Sequence, residues 1–150
     1  MPQSLAQLYV HLVFSTKGRT RGIPRGVHPD LRAYTGGVLR ELDSPMLCAG
    51  AEADHIHILY RQSKNTALAK TVEKVKTATS KWLKTQDAVS RSFHWQAGYA
   101  AFSVSASKLR DVQRYIENQA EHHRTLGFQE ELRQFLRKYS VEYDERYVWD

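Results

Sequence analysis

The sequence is poor in several things, and each shortage narrows the reading. It has a single cysteine, Cys48, which excludes an intramolecular disulfide. Cys48 lies in the apolar run Met46 to Ala51, the setting of a buried, reduced thiol. No apolar stretch is long enough to span a bilayer. The first residues lack the charged-then-apolar layout of a secretory signal. A cytoplasmic protein with no membrane partner is therefore expected. No internal repeat or low-complexity segment divides the chain, and a length of 150 residues suits one domain, 1–150. A chain of this size can bury a core without covalent staples.

Acidic residues are also in short supply, 16 against 22 Lys and Arg, for a net charge of +6. The excess is local. Residues 16–32 carry five Lys or Arg against one acid, and residues 61–91 carry eight against two, whereas 108–150 carry eight against nine. Basic surfaces of this kind attract polyanions, nucleic acid above all, although a merely soluble surface has the same composition.

What is present reads as alternating strands and amphipathic helices. Leu8, Val10, Leu12 and Phe14 alternate with Tyr9, His11 and Ser15, a strand pattern. A loop rich in Gly, Pro and Arg follows over 17–29. Helical spacing of Leu31, Tyr34, Val38 and Leu42 predicts a helix over 30–43. Residues 45–52 and 55–61 read as a hairpin joined near Asp54. A strong helix covers 66–85, with Leu68, Val72, Val75 and Trp82 on one face. The aromatic stretch 93–104 is β-prone and broken at Gly98. A helix over 106–124, capped by Ser105 or Ser107, carries the stripe Leu109, Val112 and Ile116. A shorter helix follows Gly127, and an aromatic segment, 141–150, is expected to dock through Tyr143, Tyr147 and Trp149. The order β-α-β-β-α-β-α predicts an α+β fold: an antiparallel sheet with packed helices on a ferredoxin-like or RRM-like plan.

Two clusters carry chemistry. In Asp54-His55-Ile56-His57 the strand period points both imidazoles to one side, where they can share a metal ion. The plain alternative is two histidines on a wet sheet face. On the later helix, Tyr115 and Gln119 stand one turn apart, beside the apolar stripe. Tyr115 can be a half-buried core residue. Beside a metal it can instead attack phosphorus, with an amide oxygen from Gln119 on the same ion.

Together these motifs resemble the HUH-type single-tyrosine transposases of insertion sequences that move as single-stranded DNA. The resemblance runs through Tyr9-Val10-His11-Leu12-Val13, His55-Ile56-His57, Trp95-Gln96, Gly98-Tyr99 and Phe102-Ser103-Val104-Ser105. It continues with Tyr115-Ile116 to Gln119, His122-His123-Arg124 and Glu142-Tyr143-Asp144-Glu145-Arg146-Tyr147. It implies that His55, His57 and Gln119 hold Mg²⁺ or Mn²⁺, although imidazole ligands alone favour zinc or manganese. It implies that Tyr115 is the nucleophile, joined to a 5′ phosphate and leaving a 3′ hydroxyl. It further implies a substrate of single-stranded DNA with a hairpin, and a homodimer; in some members of the family each tyrosine helix completes the partner's site, so spacing leaves cis and trans open and the resemblance tips the expectation to trans.

His11 is read as packed or hydrogen-bonded rather than as a ligand. His122 and His123 are read as structural ahead of phosphate-contacting. Phosphate contacts are expected from Lys17, Arg19, Arg21 and Arg25 in the loop, and from Lys76, which matches a lysine in the family's equivalent helix. Two other readings stand beside the transposase. One is a domesticated relative or nickase that cuts genomic hairpins. The other is a non-catalytic RRM-like nucleic-acid-binding module.

Overall fold

The structure, a computed structural model, describes residues 2–119 and 127–150. Four strands, β1 (Leu8–Ser15), β2 (Met46–Ala51), β3 (His55–Gln62) and β4 (Ala100–Val104), form one antiparallel sheet in the order β2-β3-β1-β4. Between them come the helices α1 (His28–Glu41) and α2 (Leu68–Leu83). After β4 follow α3 (Leu109–Glu117) and α4 (Phe128–Lys138). The expected ferredoxin-like α+β plan is the observed one.

The alternation in β1 and β3 divides the sheet into two faces. Leu12, Phe14, Ile56, Ile58 and Tyr60 point towards α1 and α2, where they join Leu31, Leu39, Val72, Val75 and Leu83 in the main core. Full burial of one such side chain contributes about 1.5–3 kcal/mol. The polar tip of Tyr60 is satisfied: its hydroxyl donates to Gln62, whose amide donates to Thr71 at 2.9 Å. The opposite face, under α3 and α4, carries His11, Val13, His55, His57, Leu59, Phe102 and Val104.

Several element boundaries differ from expectation. The buried stripe of α1 is Leu31, Thr35 and Leu39, and Tyr34 lies outside it, stacked on Trp82 at 5.2 Å. Thr35 fits the core because its hydroxyl donates to the Leu31 carbonyl at 2.8 Å. Strand β4 begins only at Ala100. Residues 93–98 instead form an irregular brace: Trp95 packs edge-on to Phe14, and its indole N–H donates to Thr79 at 3.0 Å. Helix α3 starts after a 3-10 turn and ends at Glu117, and neither Ser105 nor Ser107 caps it; their hydroxyls bond each other at 3.2 Å. His122, His123 and Arg124 lie outside the described residues. Segment 141–150 docks through Trp149, which rests between Arg133 and Arg19, and through the Asp150 carbonyl, which accepts from Gly98 N–H at 2.9 Å. Tyr147 and Tyr143 were expected to be covered too, yet they remain 64% and 37% exposed.

Candidate active site and metal centre

Strand pairing sets the two histidines in place. In β3, His55 lies opposite Ser15 and His57 opposite Val13, so both rings stand on the α3/α4 face near its centre. Helix α4 covers them. Phe128 stacks on His55 at 4.6 Å, and Phe135 lies edge-on to His11 at 5.1 Å. His55 and His57 are 1% and 0% exposed, so this is no wet sheet face.

Glu131, also on α4, is 1% exposed and joins them. Its Oε1 lies 2.7 Å from His57 Nε2 and 3.6 Å from His55 Nε2. The other nitrogens of the two rings have their own partners. His55 Nδ1 meets Asp54 Oδ1 at 2.7 Å, and His57 Nδ1 meets His11 Nε2 at 2.8 Å. Such outer partners orient metal-binding imidazoles. The potential ligand atoms of His55, His57 and Glu131 all lie within 4.8 Å of one another. Two imidazole nitrogens and one carboxylate oxygen suit a divalent ion.

Tyr115 approaches from α3. Its hydroxyl donates to Glu131 Oε2, and its ring stands edge-on to His57 at 5.9 Å. Burial raises the phenol's proton affinity well above the usual tyrosine range. The hydrogen bond to Glu131 and that carboxylate's charge add to the rise, while a hydrogen bond from Gln119 opposes it. Gln119, 3% exposed, is thus beside the phenol, and its amide also lies 3.4 Å from the Tyr115 carbonyl. The sequence-derived quartet His55, His57, Tyr115 and Gln119 therefore meets in one place, and within one chain.

Helix α3 comes this close because of Gly50. A Cβ at Gly50, opposite His57 in the sheet, would lie 2.6 Å from the Ile116 carbonyl oxygen and 3.0 Å from Gln119 Cγ. Only glycine leaves that room. Sequence reasoning missed this residue, the outer partner Asp54 and, above all, Glu131. The signal for Glu131 was present: it falls three residues after Phe128 and four before Phe135, a carboxylate on an apolar stripe.

Between α3 and α4 a cavity of about 550 Å³ opens onto Tyr115, Glu131 and His11, with Lys108 and Lys138 among its lining residues. A second cavity, of about 450 Å³, runs from Gln119 and Gly50 to Arg25, His28 and Arg32. Of the loop cations expected to meet DNA, Lys17, Arg21 and Arg25 are exposed, whereas Arg19 lies partly buried against Trp149. Lys76 departs from that expectation. Its ammonium donates to the carbonyls of Gln96, Ala97 and Gly98 at 2.6, 3.1 and 3.0 Å. With all three donors used, it is a brace for the loop before β4, and burial lowers its pKa to about 8.

Comparison with known proteins agrees with this geometry. Residues 4–119 match the family of IS200-like transposases, and the chain belongs to that family. A candidate transposase from Deinococcus radiodurans, whose crystal structure is known, is similar in fold. It has a TM-score of 0.61 and 20% identity, over 79% of this chain and 98% of that one. A tyrosine transposase associated with REP sequences, solved bound to a REP hairpin, is similar with a TM-score of 0.60 and 11% identity, over 82% of this chain and 73% of that one. No curated protein matches the chain significantly. No helix among the described residues is long and apolar enough to cross a membrane. The family match stops at Gln119, so α4 and Glu131 lie beyond it.

Proposed function

We propose that the protein cuts and rejoins single-stranded DNA through a 5′-phosphotyrosine intermediate on Tyr115. One observation carries the reading: the Tyr115 hydroxyl and the nitrogens of His55 and His57 converge on the same buried carboxylate, Glu131. A non-catalytic RRM-like module has no use for such a convergence. The phenol gives up its proton as its oxygen bonds to phosphorus, and the 3′ oxygen of the preceding nucleotide leaves with the bonding electrons and takes up a proton, so protons balance overall. Reversal by that hydroxyl rejoins DNA without an external energy source.

His55, His57 and Glu131 hold the ion, with Gln119 placed at the phenol as a further oxygen donor. The ion we assign is Mg²⁺ or Mn²⁺, since the carboxylate adds a hard oxygen to the two imidazoles. When bound, it supplies charge stabilisation at a phosphate oxygen. Within the chain, Glu131 holds the phenol in place, Gln119 offsets part of the rise in its proton affinity, and α4 keeps bulk water from the histidines. DNA enters by the cavity between α3 and α4, where Lys108 and Lys138 receive phosphates. A hairpin substrate is proposed by extension from the hairpin-bound relative.

The resemblance led to a shared, trans site in a homodimer. Tyr115 also reaches His57 of its own chain, the cis alternative, and the mixed-variant experiment below decides between the two. The primary test is incubation with labelled single-stranded hairpin DNA and Mg²⁺ or Mn²⁺. A covalent protein–DNA band is expected for the wild type and not for Tyr115→Phe. Mixing Tyr115→Phe with His57→Ala protein under confirmed subunit exchange tests the placement: a mixture that stays inactive supports cis, and recovered activity restores trans.

A further inference from the structure

The cavity of about 450 Å³ beyond Gln119 has the size of a small-molecule site, and nothing in the cutting chemistry uses it. Two half-buried side chains of opposite sign line it, Arg32 from α1 and Glu52 from the bend between β2 and β3. Among the described residues neither side chain has an ion pair or a hydrogen bond, with the other or with anything else. Charges withdrawn from water are ordinarily paired. A cavity that holds a guanidinium and a carboxylate apart leaves an opening for a group that satisfies both. The other polar groups of the lining are placed differently. Glu117 is exposed and already takes an N–H from Gln113 at 3.1 Å. His28 Nε2 lies 2.9 Å from the Ile23 carbonyl, which anchors the start of α1 beside the cavity. Arg25 stands exposed at the rim, also without a partner among the described residues.

The cavity adjoins the chemistry. Gln119 lines it and also hydrogen-bonds to the Tyr115 phenol. A strand whose phosphate sits at Tyr115 therefore has a neighbouring nucleotide within reach of Arg32 and Glu52. Unpaired bases offer every edge to a protein. A guanidinium presents two parallel N–H donors to two acceptors side by side, and a carboxylate accepts from two donors side by side. Guanine has both kinds of edge: O6 and N7 accept on one, and N1–H and N2–H donate on another. Adenine, cytosine and thymine have no edge with two neighbouring donor atoms.

Resting on the DNA-cutting reading above, we propose that this cavity reads one unpaired guanine next to the cut, with Arg32 donating to O6 and N7 and Glu52 accepting from N1–H and N2–H. Arg25, at the rim, receives a phosphate of the same strand and fixes its register. Arg32 and Glu52 thus set which sequence is cut, while Tyr115 and the metal group perform the cutting. A wrong base leaves one of the two charges without its partner. Each good two-pronged contact to a base discriminates by about 5–150-fold.

The experiment measures binding rather than cutting. Fluorescein-labelled short oligothymidylates, plain or with one central guanine, adenine or cytosine, are titrated with full-length protein in EDTA and followed by anisotropy. The guanine probe should bind about 5–150-fold more tightly than the other three. Two analogues report the edges separately: hypoxanthine in place of guanine removes the N2 amino group, and 7-deazaguanine removes the N7 acceptor. Each should cost the wild type about fivefold or more. Glu52→Gln should bind guanine and hypoxanthine probes alike yet still reject 7-deazaguanine, and Arg32→Gln should do the converse. A general loss of charge would not give that crossed pattern. Equal binding of the four probes, or a preference for adenine or cytosine, would overturn the inference, as would a Glu52→Gln protein that still tells guanine from hypoxanthine. If a variant does not fold, the wild-type analogues decide, and unchanged affinity for both overturns it. Free dGMP should compete only weakly; displacement at equal concentration would make the cavity a mononucleotide site and sink the strand reading. A protein that binds none of the probes removes the DNA reading and this inference together, whereas a Tyr115 adduct formed without any base preference removes the inference alone.

Discussion

Under α1 and α2, the sheet buries Leu12, Phe14, Ile56 and Ile58 against other hydrocarbon. Under α3 and α4, it buries three histidines and a glutamate, with a tyrosine partly covered. Both faces come from the same alternation in the same two strands. The helices over them differ: α1 and α2 have 14 and 16 residues, α3 and α4 only 9 and 11. The second face is mixed: Val13, Phe102, Leu132 and Leu136 on one side and Leu59, Val104 and Ile116 on the other pack around the polar group. Buried polar groups cost free energy unless paired, so this apolar surround and the mutual hydrogen bonds together hold them. The first face carries packing alone, and the second carries packing and the candidate site.

The sharpest test of that division is Tyr115→Phe, which keeps the ring and its packing. Covalent adduct formation should fall by about four orders of magnitude or more, with a melting temperature near the wild type's. Retention of the adduct would move the nucleophile elsewhere. His57→Ala should come next, with a loss of adduct formation of about a hundredfold to a thousandfold and a matching loss of Mn²⁺ binding. EDTA should imitate the activity loss in the wild type, and full cleavage in EDTA would remove the ion from the mechanism. The adjacent residue faces the other way. Ile58→Ala should lower unfolding free energy in urea by about 2–5 kcal/mol, while Mn²⁺ affinity of the folded protein stays within a few-fold. A large loss of affinity there would break the separation of the two faces.

Gly50→Ala probes the seam between them. The added methyl pushes α3 away from β2, so a destabilisation of about 1–3 kcal/mol is expected. A loss of about tenfold or more in adduct formation should accompany it, because α3 carries Tyr115. The smallest effect concerns Cys48. Burial, and then the nearby Glu117, push its thiol up to about 12 from 9.0. Alkylation of the native protein at pH 8 should therefore be much slower than in urea. The sign for stability follows: a raised folded value favours the fold fully below pH 9, and that contribution is lost as pH rises towards 12. Rapid alkylation of the folded protein would show that thiol to be open.

The sheet was legible because alternation is a local signal. Leu12 and Phe14 opposite His11, and Ile56 and Ile58 opposite His57, already assign the two faces. The histidine pair and Tyr115 with Gln119 were legible for the same reason, since each pair shares one element. Their meeting in one place was not, because no spacing relates β3 to α3. Glu131 was harder still. It reads as one more charge in a helix with acids in its first turn, Glu130 and Glu131, and only one of the two is buried. Lys76 illustrates the opposite error. A lysine on a basic helix suggests a phosphate partner, but three backbone carbonyls of the 96–98 turn take its place. Backbone acceptors leave no mark in a sequence.

The position of Glu131 along the chain has a consequence for how the protein comes into being. All four strands, both long helices and the tyrosine helix are synthesised before it, and its partner His57 precedes it by 74 residues. Since chains tend to fold from the N-terminal side as they emerge, the sheet can assemble with both histidines and Tyr115 already in place but without its carboxylate. A growing chain therefore carries the histidine pair and the tyrosine before it carries the carboxylate on which all three converge. Closure of the candidate metal group waits for α4.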